Sequence, residues 1–409
     1  MQLRPNQIRA LDAMLAYDKG QILIPTGGGK TPTMFFDLIE NCKYIDNGMT
    51  TVVVAPRILL AEQLSAEFLE FIDTKYTHVM HVHSGETHHF SSTNPEKIHL
   101  FANTARTAGE NVLIFTTYIS LDRIRQSDIE VNNIYFDEAH NSVKRNFFPA
   151  TEYFSHEADR CFFFTATPKH SLTINKPGMN MPEVYGQVIC NIPAPELVEQ
   201  GYILPPKVVV KQLGMVQDKF KIWSRDSDFL METIDNPKSV TVTEGFIDGT
   251  QSVNKVLVCA RSTKQIMGLL SDSDFCKDVA SRGYSWMTIT SKTGAIIDGQ
   301  KVNREVFFDT LNAWGKDPNK KFVVLHHSIL SEGINVNGLE SVIFLRNMDY
   351  IGISQSIGRV IRLGDKSKTF GLVCIPVYDS VGISTSRKVQ AVVDTVFNQG
   401  QPAISEIRK

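Results

Sequence analysis

The sequence is poor in the features that mark secreted, membrane-bound and disulfide-stabilised proteins. Its 409 residues include six cysteines, which are scattered without the paired spacing of a disulfide framework or a zinc site. The longest apolar runs fall short of the roughly 18 residues that a membrane span requires. Residues 1–5 carry no apolar signal-peptide core. We therefore expect an intracellular, cytoplasmic protein with reduced thiols and no membrane partner.

The chain also lacks an excess of charge of either sign. Its formal net charge is −2 at pH 7, and charged residues make up 21% of the composition. Global attraction to nucleic acid is thereby excluded, so any nucleic acid must be held by a local patch. The length suits about two or three domains of ordinary globular composition.

A glycine-rich loop, PTGGGKT, occupies residues 25–31, between an apolar run at 21–24 and a helical pattern. This order is typical of a phosphate-binding loop, because glycines let backbone N–H groups converge on phosphate oxygens at a helix start. The pattern is incomplete, since Ile24 stands where the usual first glycine would be. The residues expected to bind the nucleotide are Thr26, Gly27, Gly28, Gly29, Lys30 and Thr31.

Short apolar runs alternate with helical patterns through the first half of the chain. The predicted strands are residues 50–55, 112–115, 133–136 and 161–164. Their β-branched and aromatic composition indicates strands that are buried on both faces. Strands alternating with helices predict a mainly parallel α/β sheet, in which ligands bind at the carboxyl ends of the strands.

An acidic pair, Asp137 and Glu138, directly follows one of these strands. With a phosphate-binding loop in the same domain, Asp137 and the Thr31 hydroxyl would hold Mg²⁺, while Glu138 would polarise the attacking water. Lys30 would reach the outer phosphates of ATP. A lone Asp-Glu pair is also compatible with a dipole-stabilised helix start. Its combination with Lys30 and Thr31 favours nucleotide hydrolysis.

Prolines and glycines interrupt all periodicity over residues 191–207. We therefore predict a first domain at 1–195, a linker at 196–207 and a second domain at 208–409. The predicted strands of the second domain are residues 207–210, 255–259, 286–290, 322–325, 341–345 and 371–375. This second α/β series has no phosphate-binding loop of its own.

A polar stripe is predicted on a helix near residue 360. Gln355, Arg359 and Arg362 are spaced by four and three residues and share one helix face. The apolar residues of the opposite face are Ile353, Ile357 and Val360. An apolar face on the core would present the arginines outward, as a second domain does when it offers arginine fingers to a γ-phosphate. A solvated basic face is the structural alternative.

These segments together resemble the ordered motifs of a superfamily 2 helicase over nearly the whole chain. The matching segments are 3–7 (Q-type motif), 25–31 (motif I), 55–63 (motif Ia), 116–121 (motif Ib), 137–140 (motif II in its DEAH spelling), 165–167 (motif III), 256–261 (motif IV), 331–335 (motif V) and 355–362 (motif VI). The resemblance implies two tandem RecA-like domains with ATP and Mg²⁺ between them and single-stranded nucleic acid running across both.

The resemblance also implies roles for individual residues. Arg4 and Gln7 correspond to the adenine-reading motif, although an exposed first helical turn is the alternative. Gly333 and Asn335 of motif V would contact the nucleotide. Asn335 departs from the aspartate often found there and carries no charge, which puts its link to hydrolysis in doubt. The residues expected to contact nucleic acid are Arg57, Thr117 and Arg261.

Within the superfamily, the compact length and the motif V spelling resemble UvsW-like phage recombination helicases and restriction-type (ResIII) motor subunits. We therefore expect a monomeric ATP-dependent helicase or translocase that acts on single-stranded or branched DNA. An RNA helicase, a duplex-DNA motor serving a nuclease or recombination partner, and a non-hydrolysing ATP-dependent clamp are the alternatives. DEAH-type RNA helicases share the motif II spelling, but they usually append large C-terminal domains, for which we expect no room after Arg362.

Overall fold

The computed structural model divides the chain into two compact units. It describes residues 2–42, 48–85, 87–213, 222–235, 241–242, 245–246, 254–290, 292–327, 338–345, 348–364, 368–378 and 383–407. The first unit comprises residues 1–193 together with 402–409, and the second comprises residues 194–401. Each unit is an α/β structure built around one mainly parallel sheet.

The first unit carries helices between nearly all successive strands. Its helices are α1 (Pro5–Ala16), α2 (Lys30–Cys42), α3 (Ile58–Leu69), α4 (Pro95–Thr107), α5 (Leu121–Gln126), α6 (Phe148–Glu157) and α7 (Pro182–Tyr185), with a 3₁₀ helix at Ala139–Asn141. Its strands are β1 (Lys19–Leu23), β2 (Thr50–Ala55), β3 (Thr77–Val82), β4 (Phe90–Ser91), β5 (Asn111–Thr117), β6 (Asn133–Phe136), β7 (Arg160–Thr165), β8 (Lys169–Ser171), β9 (Val188–Asn191) and β20 (Ser405–Ile407).

The large sheet of the first unit has the strand order β4-β3-β5-β2-β6-β7-β1-β9. The pairings of its central strands are parallel, for example Val54 with Phe136 and Leu23 with Thr165. All six residues of β2 are buried, as expected for a β-branched strand covered on both faces. The carboxyl ends of β5, β2, β6, β7 and β1 therefore form one continuous edge.

A buried ion pair holds α2 onto the sheet at the opposite edge. Arg160, at the start of β7, donates two hydrogen bonds to the carboxylate of Asp37 on α2, at 2.8 and 2.9 Å. Asp37 also accepts a hydrogen bond from the hydroxyl of Tyr135. The side chain of Asp37 is fully buried and that of Arg160 is 13% exposed. The helix that follows the glycine-rich loop is thereby fixed to two central strands.

The second unit is also built around one mainly parallel sheet, and two antiparallel strands form one edge of that sheet. Its helices are α8 (Ala194–Glu199), α9 (Ile222–Asp235), α10 (Thr263–Ser271), α11 (Phe275–Ser281), α12 (Arg304–Lys316), α13 (Tyr350–Val360) and α14 (Ile383–Val392), followed by a π-helical segment at Val393–Asn398. Its strands are β10 (Pro206–Leu213), β11 (Thr241–Val242), β12 (Gly245–Phe246), β13 (Lys255–Cys259), β14 (Ser285–Thr290), β15 (Gly294–Ile297), β16 (Gln300–Val302), β17 (Phe322–His326), β18 (Ser341–Phe344) and β19 (Gly371–Tyr378).

The large sheet of the second unit has the strand order β10-β19-β18-β13-β17-β14-β15-β16. Its pairings are parallel from β10 to β14, and β15 and β16 add an antiparallel edge. Alternate residues of the central strands, such as Val256, Val323 and Ile343, lie in one hydrophobic cluster. The expected α/β fold of two tandem, mainly parallel sheets flanked by helices is confirmed.

The unit boundaries differ from the predicted domain boundaries in two places. Residues 196–207, predicted as a linker, lie with the second unit, where Leu197 of α8 and Ile203 are buried. Residues 402–409, predicted as the end of the second domain, lie with the first unit, because β20 pairs in parallel with β8. A pairing between segments more than two hundred residues apart leaves no local pattern in the sequence.

No helix in the described part of the chain is both long enough and apolar enough to cross a membrane.

Candidate active site

The glycine-rich loop lies at the carboxyl end of β1. Gly27 and Gly29 both have a φ of 87°, a left-handed conformation that residues with a Cβ rarely adopt. The N–H of Gly28 donates to the carbonyl of Pro25 at 3.0 Å, which closes the turn. Helix α2 begins at Lys30, so Thr31 lies in its first turn. The loop thus has the backbone conformation and the helix start that the sequence predicts for a phosphate-binding loop.

The start of α1 holds this loop through side chains. Three of them bind the carbonyls of three consecutive glycines: Arg4 Nη1 donates to Gly27 O at 3.4 Å, Asn6 Nδ2 to Gly28 O at 2.8 Å, and Gln7 Nε2 to Gly29 O at 3.2 Å. A Cβ on Gly29 would lie 2.1 Å from the Gln7 Nε2. Glycine is therefore required there for this close approach as well as for the backbone conformation.

Two polar residues in the first turn of α1 are buried, although apolar residues of the same helix are exposed. Asn6 and Gln7 are each 1% exposed, whereas the apolar residues Ile8 and Leu15 are 45% and 54% exposed. The structure therefore rejects the exposed-turn alternative for Gln7 and places it against the loop. Asn6 was not predicted from the sequence, where its only local signal is a polar side chain between two residues of a motif.

Lys30 and Glu138 form the central contact of the site. The Lys30 Nζ lies 2.9 Å from the Glu138 Oε1, and the two side chains are 12% and 8% exposed. The Nδ1 of His140 lies 3.5 Å from the other Glu138 oxygen and 3.0 Å from the hydroxyl of Thr165. It also lies 3.3 Å from the hydroxyl of Thr167. Predicted motifs I, II and III therefore meet in one buried polar network.

The Asp137 carboxylate lies beside this network and is strongly desolvated. It is 6% exposed, and burial raises its pKa from 3.8 to about 7. The positive charge of Lys30 lowers the pKa, and the negative charge of Glu138 raises it further. Among the described residues, its Oδ1 is buried and accepts no hydrogen bond. A hard divalent cation prefers such a carboxylate oxygen, so the donor set fits Mg²⁺.

Glu138 adopts a strained backbone conformation. Its φ of 46° and ψ of 53° are left-handed, a region that costs a residue with a Cβ about 1–2 kcal/mol. The Asn141 Nδ2 donates to the Glu138 carbonyl at 3.1 Å, within the 3₁₀ helix that follows. Strain of this kind persists where the surrounding contacts determine the conformation, and it turns the carboxylate towards Lys30.

Two of the three residues expected to contact nucleic acid lie at the same edge of the first sheet. Ala55 and Thr117 are register partners at the ends of β2 and β5, so Thr117 ends β5 and Arg57 lies two residues beyond the end of the adjacent β2. Arg57 is half-buried at the N-terminus of α3. Thr117 is 3% exposed, so its side chain is not presented to solvent. The neighbouring Ile119 is the exposed residue of that turn, at 74%.

The remaining predicted residues belong to the second unit. Arg261 is exposed just after β13, and its N–H donates to Gln265 Oε1 at 2.6 Å. Gln355 and Arg359 lie on α13, but they are 6% and 3% exposed, whereas the sequence predicted an outward-facing stripe. Every residue from Ile351 to Val360 is buried, so this part of α13 has no solvent-exposed face.

Arg362 does not continue the predicted helical stripe. Helix α13 ends at Val360, and the next two carbonyls bind groups outside the helix. The Ile361 carbonyl accepts from the Leu204 N–H at 2.7 Å, and the Arg362 carbonyl accepts from the Lys368 Nζ at 2.7 Å. Arg362 is therefore a half-buried residue beyond the helix end. Gly333 and Asn335 of the predicted motif V lie outside the described residues.

Comparisons with known proteins agree with this architecture. Residues 1–170 match the family described as "Type III restriction enzyme, res subunit" (ResIII). No curated protein matches the chain by sequence. Solved structures do match, and two of them are Type ISP restriction-modification enzymes.

The first is the ATP-dependent enzyme LlaBIII bound to DNA, with a TM-score of 0.74 and 18% identity over 100% of this chain. The second is a nuclease-deletion mutant of LlaGI with a DNA substrate mimic, with a TM-score of 0.68 and 19% identity over 99% of this chain. The chain spans only 31% and 30% of the lengths of these two enzymes.

A third match is a fragment assigned to the HsdR subunit of a type I restriction enzyme from Vibrio vulnificus YJ016. Its TM-score is 0.60 and its identity 15%, over 98% of this chain and 67% of that one. Identities this low show a shared fold. Together with the ResIII match, they confirm the expected resemblance to superfamily 2 helicases with a restriction-type layout.

Proposed function

We propose that the chain is an ATP-dependent DNA motor, which couples ATP hydrolysis to movement along DNA or to unwinding and remodelling of branched DNA. The observation that carries this proposal is the buried contact between Lys30 and Glu138, at 2.9 Å, beside a glycine-rich loop. A lysine held at the start of α2 and a carboxylate at the end of β6 are the charges that phosphoryl transfer to water requires. Their convergence also argues against a non-hydrolysing clamp.

The residues of the first unit would divide the work of hydrolysis. Bound ATP would supply the electrophilic phosphoryl group, and Mg²⁺ would supply the positive charge that neutralises the phosphate oxygens. The loop amides and Lys30 would orient the outer phosphates, while Asp137 and Thr31 would hold the metal. Glu138 would polarise the attacking water and accept its proton. Arg4 and Gln7 would place the base next to the loop that they already contact.

Gln355, Arg359 and Arg362 would complete hydrolysis by stabilising the charge that develops on the γ-phosphate. This assignment follows from the resemblance to motif VI. The burial of Arg359, at 3% exposed, suits a guanidinium that acts at low dielectric. Gly333 and Asn335 of motif V would contact the nucleotide.

DNA is the proposed substrate because similar structures contain it: LlaBIII is bound to DNA, and LlaGI is in complex with a DNA substrate mimic. Arg57, Thr117 and Arg261 would grip phosphates without reading sequence. A second candidate, a duplex-DNA motor working for a nuclease, is favoured because both of these similar proteins are restriction-modification enzymes. In that case the cleaving domain would belong to a partner or to further sequence.

The test is to measure steady-state ATPase rates side by side with single-stranded DNA, blunt duplex DNA, forked DNA and RNA, all at matched nucleotide concentration. We expect forked DNA to stimulate the rate most and stimulation to fall steeply with salt, since the contacts are to phosphates. Preferential stimulation by blunt duplex would favour the nuclease-serving motor. Strong stimulation by RNA without stimulation by DNA would refute a DNA motor and favour an RNA helicase.

A further inference from the structure

Tyr118 is buried directly behind the predicted catalytic carboxylates. It follows β5, and its N–H donates to the carbonyl of Ala55 at the end of β2, at 3.2 Å. Its ring centroid lies 6.0 Å from that of Phe136 and 5.6 Å from that of Phe147. Its hydroxyl donates a hydrogen bond to the backbone carbonyl of Asp137 at 2.8 Å. At 1% exposure, this phenol is held in one orientation.

The hydrogen bond from Tyr118 fixes the peptide between Asp137 and Glu138, the residue with the strained backbone. The N–H of Asp137 donates to the Val54 carbonyl at 2.9 Å, and the carbonyl of Asp137 accepts from Tyr118. Both main-chain polar groups of Asp137 are therefore tied to the neighbouring strands β2 and β5. The next residue, Glu138, has a φ of 46°. The Asp137–Glu138 peptide thus sets where both carboxylates point.

The turn that carries Tyr118 also reaches solvent at the same sheet edge. Ile119, the next residue, is 74% exposed. Thr117, the preceding residue, belongs to the segment that resembles motif Ib, which is expected to contact nucleic acid. The exposed Ile119 and the buried Tyr118 are joined by a single peptide unit. A ligand that shifts this turn must therefore shift the Tyr118 hydroxyl relative to Asp137.

We propose that Tyr118 is a positioning residue that couples nucleic-acid contact at the turn after β5 to the orientation of the Asp137–Glu138 peptide. The inference rests on the proposed DNA-dependent ATPase activity. A buried phenol that merely satisfies its hydroxyl is the simpler alternative. The acceptor favours the coupling role over this alternative. The Tyr118 hydroxyl binds the carbonyl of the peptide that joins Asp137, the predicted metal ligand, to Glu138, the residue predicted to activate water.

Tyr118→Phe tests the proposal, because it removes the hydroxyl and keeps the ring and its packing. The matched control is Tyr185→Phe, which removes a buried hydroxyl that binds the Ser142 hydroxyl at 2.8 Å and not the Asp137–Glu138 peptide. ATP hydrolysis with Mg²⁺ is measured at saturating forked DNA, together with the KM for ATP, the DNA concentration for half-maximal stimulation and the thermal midpoint.

For Tyr118→Phe we expect kcat at saturating DNA to fall about tenfold, the size of one lost hydrogen bond to a positioned group. The KM for ATP and the half-stimulating DNA concentration should stay within about twofold, since binding contacts are retained. Tyr185→Phe should keep the kcat of the unmodified protein, even if it lowers the thermal midpoint as much as Tyr118→Phe does.

An unchanged kcat in Tyr118→Phe would overturn the coupling role, as would equal losses of kcat in both variants, which would show a structural effect alone. If the unmodified protein shows no DNA-stimulated hydrolysis, the proposed function itself fails, and the coupling falls with it. A stimulated protein whose Tyr118→Phe variant behaves normally refutes only the coupling.

Discussion

The substitution Asp137→Asn should stabilise the fold while it removes a predicted metal ligand. Burial is the largest cause of the raised Asp137 pKa, which lies at about 7 against 3.8 for an ordinary aspartate. Lys30 offsets part of this cost and Glu138 adds to it. Asparagine has nearly the same shape and carries no charge, so the substitution removes the cost of burying a carboxylate.

The sign of the pH dependence follows from which state binds the proton more tightly. Between about pH 4 and pH 7 the folded chain keeps a proton on Asp137 that the unfolded chain releases, so ionisation destabilises the fold as pH rises through this window. The difference of about three pH units between the two pKa values corresponds to about 4 kcal/mol. Asp137→Asn should therefore raise the free energy of unfolding of the first unit by up to about 4 kcal/mol at pH 8 and by little at pH 4.

Urea unfolding at pH 4.5, 6 and 8 in metal-free buffer measures this difference. All three tryptophans, Trp223, Trp286 and Trp314, lie in the second unit, so tryptophan fluorescence follows that unit and far-UV circular dichroism follows both. Asp137→Asn should shift the dichroism transition and leave the fluorescence transition unchanged. The exposed Asp12→Asn is the matched control and should shift neither. A variant less stable than the unmodified protein at pH 8, or a gain independent of pH, would refute the reasoning.

Further outcomes are expected at three other residues. Lys30→Ala should lower kcat by about a hundredfold or more, because the ammonium positions the phosphates; normal turnover would exclude the predicted loop function. Arg359→Ala should lower kcat far more than it weakens ATP binding measured by titration calorimetry, because its charge acts on the transition state; a pure loss of affinity would contradict this. Asp37→Ala should destabilise the first unit by about 3–5 kcal/mol in urea, because it leaves the Arg160 guanidinium without its buried partner; a cost below about 1 kcal/mol would contradict the ion pair's role.

The parts of the fold that the sequence predicts are those recorded in local patterns. Runs such as residues 50–55 and 161–164 are continuous and apolar because their strands are covered on both faces, and the structure places β2 and β7 there. The pairing of β20 with β8 escaped prediction, since its three-residue strands carry no such run and lie far apart in the chain. The strands β15 and β16 of the antiparallel edge also escaped prediction, because they are only four and three residues long and less buried than the central strands.

The candidate site was predicted where a residue's chemistry alone suggests a role. Lys30 is a charged group at a helix start, Asp137 and Glu138 follow a strand end, and the fold brings the Lys30 and Glu138 side chains into contact. Asn6 and Tyr118 donate hydrogen bonds to backbone carbonyls of distant segments, which no spacing rule reveals. Helical periodicity similarly extended α13 to Arg362, whereas the helix ends at Val360 and the Ile361 carbonyl accepts a hydrogen bond from Leu204.

The most direct test of the central claim is a single-turnover measurement on Glu138→Gln. In this variant the loop, Lys30 and Asp137 are unchanged, so ATP should bind with nearly unmodified affinity in the presence of Mg²⁺. The chemical step at saturating forked DNA should nevertheless slow by about a hundredfold or more, because glutamine cannot accept the proton of the attacking water. Hydrolysis at the unmodified rate, with ATP bound normally, would show that Glu138 is not the residue that activates water and would contradict the account.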